Sequence, residues 1–127
     1  MKYRVHHVHL ICSNLDQMVG FLSESLGANL VVRRKFAGAD GATLDLNGTL
    51  INLRVAREDE TGLGDSARVR YGYDHLGLEV EDVDAAYEEL KAKGFSFTVP
   101  PKDFEKWRIA FFRGPDNITL ELIQTIG

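Results

Sequence analysis

The chain has few of the features that would point to secretion or to a membrane. It is 127 residues long, and its single cysteine, Cys12, has no second cysteine with which to form an internal disulfide. No segment approaches the roughly 18 apolar residues that a membrane span needs, and the N-terminus lacks the apolar run of a signal peptide. We therefore expect a cytosolic protein with no membrane partner.

The chain also lacks an excess of positive charge. The formal net charge is −4 at pH 7, and the 15 lysine and arginine residues form no cluster along the sequence that would suit a nucleic acid. Nucleic acid is therefore not expected as a partner. The hydrophobic share of 44% and the charged share of 27% are those of an ordinary globular protein, and the length predicts a single domain over residues 1–127.

The first half of the chain predicts one strand, one helix and three more strands. β-Branched and aromatic residues fill the run from Tyr3 to Cys12, and Ser13-Asn14 then offers capping oxygens for a helix from about Asp16 to Leu26. Glycine-bearing turns separate three further strand-like runs, at residues 29–36, 42–47 and 49–56. Together these elements predict a βαβββ module over about residues 1–56.

The same order returns after a charged, glycine-containing segment at residues 57–72, which we interpret as a linker or loop. A strand is predicted from Tyr73 to Val80 and a helix from Asp82 to about Gly94, followed by strands around residues 95–99, 107–113 and 118–125. The segment Pro100–Arg108 is interpreted as a loop, either one that forms the rim or lid of a cleft or a solvated loop anchored by Trp107. A second module therefore covers about residues 73–127.

The two modules align residue by residue. Laying His75 on His7 superposes His75-Leu76-Gly77-Leu78 on His7-Val8-His9-Leu10, and a slip of one position lays Glu121 on Asn52. Each module alone is too small to bury its sheet face, which is a physical reason to pair two of them. The sequence thus predicts an α+β fold in which two βαβββ modules form a curved, barrel-like mixed sheet around a metal-centred cleft.

Histidines and one glutamate are the candidate metal ligands. His7 and His9 share one face of the first strand by alternation, and the apolar residues around them predict that both rings project into enclosed space. Glu121 lies in an apolar run, where an unpaired carboxylate would be costly. If His7, His75 and Glu121 converge, they form the two-histidine, one-carboxylate set that holds iron and related metals with open coordination positions.

An alternative without a metal stays open at this point. Glu121 would then pair with an arginine such as Arg54 or Arg108, while His7 and His75 would be core histidines hydrogen-bonded to the backbone. Spacing alone does not decide between the two, because scattered histidine and glutamate residues form no local motif.

Nearly the whole chain resembles a known superfamily. The similarity is carried by the segments HHVHLICSNLD, YDHLGLEVEDVDAAYEELKAKG and RIAFFRGPDNITLELIQ. They resemble the vicinal oxygen chelate superfamily, which includes glyoxalase I, methylmalonyl-CoA epimerase, fosfomycin-resistance proteins and extradiol dioxygenases. The resemblance implies that His7, His75 and Glu121 ligate a divalent metal ion, with iron, zinc, manganese, nickel and cobalt as candidates. It also implies a small-molecule substrate and a homodimer.

The chain departs from the family pattern at two positions. Glyoxalase I and the epimerase place a glutamate or glutamine ligand where this chain has Asn52, whose amide could bind the metal, hydrogen-bond a substrate, or face water on an edge strand. His9 stands where the superfamily commonly has a small or hydroxyl residue. It is a candidate general base or substrate partner, with a structural role as the alternative. Arg108, in the predicted rim, is a candidate for binding a substrate anion.

These observations lead to one expected function and two alternatives. The substrate would chelate the cation through two oxygens, and the cation would act as a Lewis acid that stabilises an enediolate. His9, or less readily Glu121, would move the proton, which is lyase or isomerase chemistry of the glyoxalase or epimerase kind. The alternatives are an Fe(II)-dependent extradiol-type dioxygenase, which the three-ligand set also fits, and a resistance protein that binds a small molecule without turnover.

Overall fold

The computed structural model describes residues 1–64 and 71–127, and the chain divides into two compact units, Met1–Gly62 and Leu63–Gly127, called unit 1 and unit 2 below. Each unit holds one four-stranded mixed sheet and little helix. The predicted α+β class and the two βαβββ modules are therefore confirmed. That residues 1–127 form a single domain stays a prediction.

Unit 1 contains β1 His7–Cys12, α1 Leu15–Gly20, β2 Asn29–Phe36, β3 Ala39–Leu46 and β4 Thr49–Val55. The strand order is β1-β4-β3-β2, with β1 parallel to β4 and the other neighbours antiparallel. α1 begins where the side chain of Asn14 accepts a hydrogen bond from the backbone N–H of Gln17 at 2.9 Å. It continues as a π-helix over Phe21–Ser25, so the predicted helix is present but changes its hydrogen-bond pattern midway.

Unit 2 repeats this arrangement with β5 Leu76–Glu79, α2 Val83–Ala92, β6 Phe97–Phe104, β7 Trp107–Arg113 and β8 Thr119–Thr125. The strand order β5-β8-β7-β6 and the parallel pairing of β5 with β8 match unit 1 strand for strand. The carboxylate of Asp82 accepts a 3.0 Å hydrogen bond from the N–H of Ala85 at the start of α2. Gly94, at φ 95°, follows the end of the helix as predicted.

Each sheet has a buried apolar face and an open face that carries polar side chains. On β4, Ile51 and Leu53 are 1% and 0% exposed, while Asn52 between them lies on the open face. On β8, Leu120 and Leu122 are 0% and 1% exposed, and Glu121 lies on the open face. Burying each of these apolar side chains contributes roughly 1.5–3 kcal/mol. The same alternation decides which residues are left to meet a ligand.

One predicted loop is a strand. The sequence predicts a rim loop at Pro100–Arg108, but β6 runs through both prolines to Phe104 and is followed by a tight turn into β7. β6 is the edge strand of its sheet, where the missing N–H of a proline does not interrupt a ladder. The first strand is also shorter than predicted, since β1 begins at His7 rather than at Tyr3.

The predicted linker lies partly outside the described residues, which leave out residues 65–70. Residues 57–64 form turns and irregular backbone, and the side-chain amide of Asn117 donates to the carbonyl of Gly64 at 2.8 Å. In residues 1–64 and 71–127, no helix has the length and apolar character needed to cross a membrane.

Candidate functional site

His75 and Glu121 lie side by side on the open face of unit 2. His75 immediately precedes β5, which runs parallel to β8 with Gly77 opposite Glu121. This register brings the His75 Nε2 atom to 3.2 Å from the Glu121 Oε1 atom. The side chains of His75 and Glu121 are 30% and 15% exposed, so the pair is partly desolvated and still open to a ligand.

Asp74 orients the His75 ring. The His75 Nδ1 atom lies 2.7 Å from the Asp74 Oδ2 atom. This hydrogen bond is the main reason why the pKa of His75 is raised above its usual value, with Glu121 adding to the rise and burial opposing it. The Phe111 ring meets the imidazole edge to face, with 5.1 Å between the ring centroids. The bond to Asp74 leaves Nε2 as the ring nitrogen that faces Glu121.

The two facing atoms are spaced as two ligands of one cation would be. Nitrogen and oxygen ligands lie about 2.1 Å from a divalent ion such as zinc, so two ligands at about 90–110° are roughly 3.0–3.4 Å apart. The 3.2 Å between His75 Nε2 and Glu121 Oε1 fits this spacing. Within residues 1–64 and 71–127, no group of three His, Cys, Asp or Glu side chains is arranged to hold a metal ion. The structure therefore brings two expected ligands together, and His7 as the third stays a prediction.

His7 and His9 project from the open face of unit 1, and the expectation that they are enclosed is wrong. Both are exposed, because β1 is an edge strand and the two residues point away from the buried face. The Nδ1 atoms of His7 and its neighbour His6 are 2.9 Å apart. The rings of His7 and His9 lie 6.3 Å apart between centroids, as expected for alternate residues of one strand.

His9 packs against an aromatic side chain. Its ring meets the Phe36 ring of β2 edge to face, with 4.6 Å between centroids. The Phe36 ring lies over Gly41 of β3, where an added Cβ atom would collide with it. Partial burial of the His9 ring lowers its pKa, and the charges of Arg54 and His7 lower it further. These effects favour the neutral imidazole.

Asn52 lies in the middle of the sheet of unit 1, because β4 pairs with both β1 and β3. The edge-strand alternative for this residue is therefore wrong. Asn52 stands opposite His9 on one side and Thr43 on the other, and the Thr43 hydroxyl donates to Asn52 Oδ1 at 2.7 Å. The sequence does not single out Thr43, which is found only once β3 and β4 are laid in register.

Arg54, one of the arginines considered as a partner of Glu121, is paired within unit 1. Its guanidinium donates to both carboxylate oxygens of Glu60, at 2.7 and 2.6 Å. Glu60 also accepts the backbone N–H of Arg57 at 2.6 Å. The bond to Arg54 is the main reason why the pKa of Glu60 is lowered to about 2. Within unit 2, Glu121 has His75 as its partner.

Arg108 is also paired elsewhere. Its guanidinium donates to Asp84 of α2 at 2.8 and 2.9 Å and to Asp103 of β6 at 2.8 Å. These two carboxylates raise the pKa of Arg108. The structure does not bring Arg108 to Glu121, because its side chain points toward the helix. Its role in binding a substrate anion stays a prediction.

Comparison with known proteins gives one family over nearly the whole chain. A family model described as the Glyoxalase/Bleomycin resistance protein/Dioxygenase superfamily matches residues 4–122. The uncharacterized protein YraH of Bacillus subtilis is 27% identical over 128 residues, covering 94% of this chain and 96% of that protein. A lactoylglutathione lyase of Arabidopsis thaliana is 29% identical over 125 residues, covering 95% of this chain and 44% of the lyase. The chain thus spans less than half the length of that plant lyase.

Solved structures show the same fold. A glyoxylase/bleomycin resistance protein/dioxygenase domain from Frankia sp. superposes with a TM-score of 0.82 at 32% identity, covering 98% of this chain and 99% of that one. A fosfomycin resistance protein of Listeria monocytogenes, solved with Mn(II) and dihydroxypropylphosphonic acid, superposes with a TM-score of 0.76 at 21% identity, covering 96% and 90%. At that identity, the second likeness shows the fold alone.

Proposed function

The chain belongs to the glyoxalase/bleomycin resistance protein/dioxygenase superfamily, and from this membership we propose that it is a metal-dependent lyase or isomerase of the glyoxalase or epimerase kind. Its substrate is a small molecule with two neighbouring oxygens, such as a hydroxy-ketone, a 2-oxo acid derivative or a thiohemiacetal. The Arabidopsis thaliana lactoylglutathione lyase at 29% identity and a probable lactoylglutathione lyase of Synechocystis at 25% identity support this class of reaction. The observation that carries the proposal is the 3.2 Å pairing of His75 Nε2 with Glu121 Oε1 on an open sheet face.

The proposed ligands of a divalent cation are His75, Glu121 and His7, with iron, zinc, manganese, nickel and cobalt as the candidate metals. A cation held by these residues would supply Lewis acidity to a substrate carbonyl, which would favour loss of the neighbouring C–H proton. Asp74 fixes the tautomer of His75 through the 2.7 Å bond to Nδ1, and Phe111 restricts rotation of the ring. Three protein ligands leave positions open for the substrate oxygens.

His9 is the residue proposed to move the substrate proton. It is exposed on the open face of unit 1, and its contact with Phe36 at 4.6 Å restrains the ring, so the imidazole is accessible and oriented. Glu121 is the less favoured candidate, because its carboxylate already pairs with His75. Asn52, opposite His9 in the sheet, is proposed to hydrogen-bond the substrate.

An Fe(II)-dependent extradiol-type dioxygenase is the second candidate. The observation that favours it is Asn52, which is neutral and accepts a hydrogen bond from Thr43, so the proposed ligand set has one carboxylate. Consumption of oxygen by iron-loaded protein with catechol-like substrates would favour the dioxygenase over the lyase or isomerase.

The test is the metal content of protein purified without added metal. We expect a stoichiometric divalent metal in the wild type and in His9→Ala, and its loss in His75→Ala. Turnover should be lost with the metal in His75→Ala and greatly reduced in His9→Ala, which keeps the ligands. Stoichiometric metal in His75→Ala would contradict the site, and full turnover by His9→Ala would contradict the role of that residue. A metal-free wild type whose ligand affinity is unchanged in His75→Ala would identify a binding protein instead.

The resemblance to the superfamily also supports a homodimer, and we propose that it lies in the cytosol. Light scattering on the purified protein measures its mass in solution, and a monomer mass at micromolar concentration would contradict the dimer.

A further inference from the structure

Three neighbouring residues, none of them acidic, form a row across the open face of unit 1. The register of β1, β4 and β3 places His9 opposite Asn52 and Asn52 opposite Thr43. Side chains directly opposite each other on one face of a sheet start about 4.5–5.5 Å apart, within reach of a shared ligand. We call these three residues the polar row.

Thr43 sets the direction of the Asn52 amide within the polar row. Its hydroxyl donates to Asn52 Oδ1 at 2.7 Å, so the two N–H groups on Nδ2 turn away from Thr43. Thr43 is 5% exposed, which shields this hydrogen bond from water and strengthens it. Among residues 1–64 and 71–127, Nδ2 has no hydrogen-bond partner. A fixed N–H donor on an open face is a binding group for an acceptor oxygen.

Phe36 gives the polar row an apolar wall. Its ring reaches from β2 over Gly41 to His9, in space that a side chain at Gly41 would occupy. The guanidinium carbon of Arg34 lies 5.7 Å from the centroid of the same ring. A ligand at the polar row would therefore meet hydrogen-bond donors, an aromatic surface and nearby positive charge.

We propose that the polar row is a subsite for an oxyanion of the substrate, such as a carboxylate or an enolate oxygen. In this subsite Asn52 Nδ2 is the donor, and Thr43 is the positioning residue that aims it. Neutral N–H groups that are already oriented stabilise a negative oxygen without reorganising when it arrives. A carboxylate at position 52 would repel the same oxygen, which is a physical reason for an amide there. The subsite rests on the proposed function, because it specifies how that substrate is held.

Binding of glycolate and oxalate to the purified protein tests the subsite by isothermal titration. Asn52→Leu removes the donor at nearly constant size, and we expect about tenfold weaker binding of both oxyanions, the effect of one hydrogen bond to a charged group. Thr43→Val removes the hydroxyl at nearly constant shape and should weaken binding about threefold, because the amide is no longer aimed. Thr43→Ser keeps the hydroxyl and is the matched control, which should bind like the wild type.

The outcomes distinguish a failure of the proposed subsite from a failure of the proposed function. Unchanged affinity in Asn52→Leu would overturn the subsite, and equal affinities of Thr43→Val and Thr43→Ser would overturn the positioning role of Thr43. NMR of the wild type gives a test that does not depend on a variant folding. The side-chain amide signals of Asn52 should shift as glycolate is added. Unshifted signals would also overturn the subsite. Metal content is measured on every sample. A metal-free wild type whose Asn52 signals shift contradicts the proposed metal enzyme and leaves the subsite standing.

Discussion

The two units share a topology and differ in the chemistry of one corresponding row. Strand order and parallel pairing are the same in both, and each helix begins where a side-chain oxygen accepts the backbone N–H of the residue three positions on. The row across the open face is His9, Asn52 and Thr43 in unit 1, and Gly77, Glu121 and Phe111 in unit 2. The row of unit 2 carries an acid beside a residue without a side chain, which suits a cation, whereas the amide and hydroxyl of unit 1 suit an anion. A duplicated module can therefore keep its buried face and change its open one.

Both units have a buried apolar face, and shortening a side chain on either face should lower the stability of the protein by a similar amount. Ile51 in unit 1 and Leu120 in unit 2 are 1% and 0% exposed. We expect Ile51→Ala and Leu120→Ala each to lower the free energy of unfolding by about 2–5 kcal/mol, because each leaves a cavity. Urea denaturation followed by circular dichroism measures both. If one variant costs less than about 1 kcal/mol, the two cores are not equivalent.

The open faces of the two units differ, and substitutions on them should differ in their effect on metal affinity. Glu121→Gln removes the carboxylate of unit 2, and we expect at least about 100-fold weaker metal binding, since loss of an outer partner alone costs 10–100-fold. Competition with a chromophoric chelator measures the affinity. Glu88→Gln makes the same change at an exposed position of α2 and should bind metal like the wild type. An equal loss in Asn52→Leu would show that both rows serve the metal.

A smaller effect is expected at Asp74, which orients His75 through the 2.7 Å hydrogen bond to Nδ1. Asp74→Ala should weaken metal binding about tenfold, because the Nδ1–H tautomer loses its acceptor. Nitrogen-15 NMR of the His75 ring should show the change of tautomer directly. Asp59→Ala removes an exposed carboxylate from unit 1 and serves as the control. If Asp74→Ala binds metal with wild-type affinity, then Phe111 and the backbone orient His75 without Asp74.

The smallest effect concerns the pH dependence of stability in unit 1. Arg54 lowers the pKa of Glu60 from its usual 4.5 to about 2 on folding. A carboxylate with a depressed pKa stabilises the folded state above its unfolded pKa, and this stabilisation is lost as the pH falls through its folded pKa. The wild type should therefore have a higher melting temperature than Glu60→Gln at pH 7. The difference in melting temperature should disappear as the pH falls from 4.5 to about 2. Thermal melts across that range measure it, and a constant gap would assign the difference to something other than this ionisation.

Local signals in the sequence predict the helices and strands, whereas features that depend on distant residues cannot be predicted from local signals. The caps at Asn14 and Asp82 and the alternation along β4 and β8 depend on neighbouring residues, so the helices and both open-face positions could be predicted. The edge position of β6 depends on the whole sheet, so the prolines of this segment predict a loop where the structure has a strand.

The candidate site was predictable to a similar extent. The residues His75 and Glu121 follow from the family resemblance, but their contact depends on a parallel register between positions 46 apart in the chain. The role of Thr43 depends on the register between β3 and β4, and the exposure of His7 and His9 depends on β1 being an edge strand. None of these three facts is encoded in local spacing.

The parallel pairing of β5 with β8 has a consequence for the kinetics of folding. It joins the first and last strands of unit 2, so it closes a long loop, and such non-local closures are slow and carry a large entropic cost. His75 and Glu121 come within 3.2 Å of each other only when that closure is made. A ligand that bridges them binds the closed chain and not the open one, so it should lengthen the lifetime of the folded state. The chemistry of this pair and the persistence of the fold thus depend on one strand pairing.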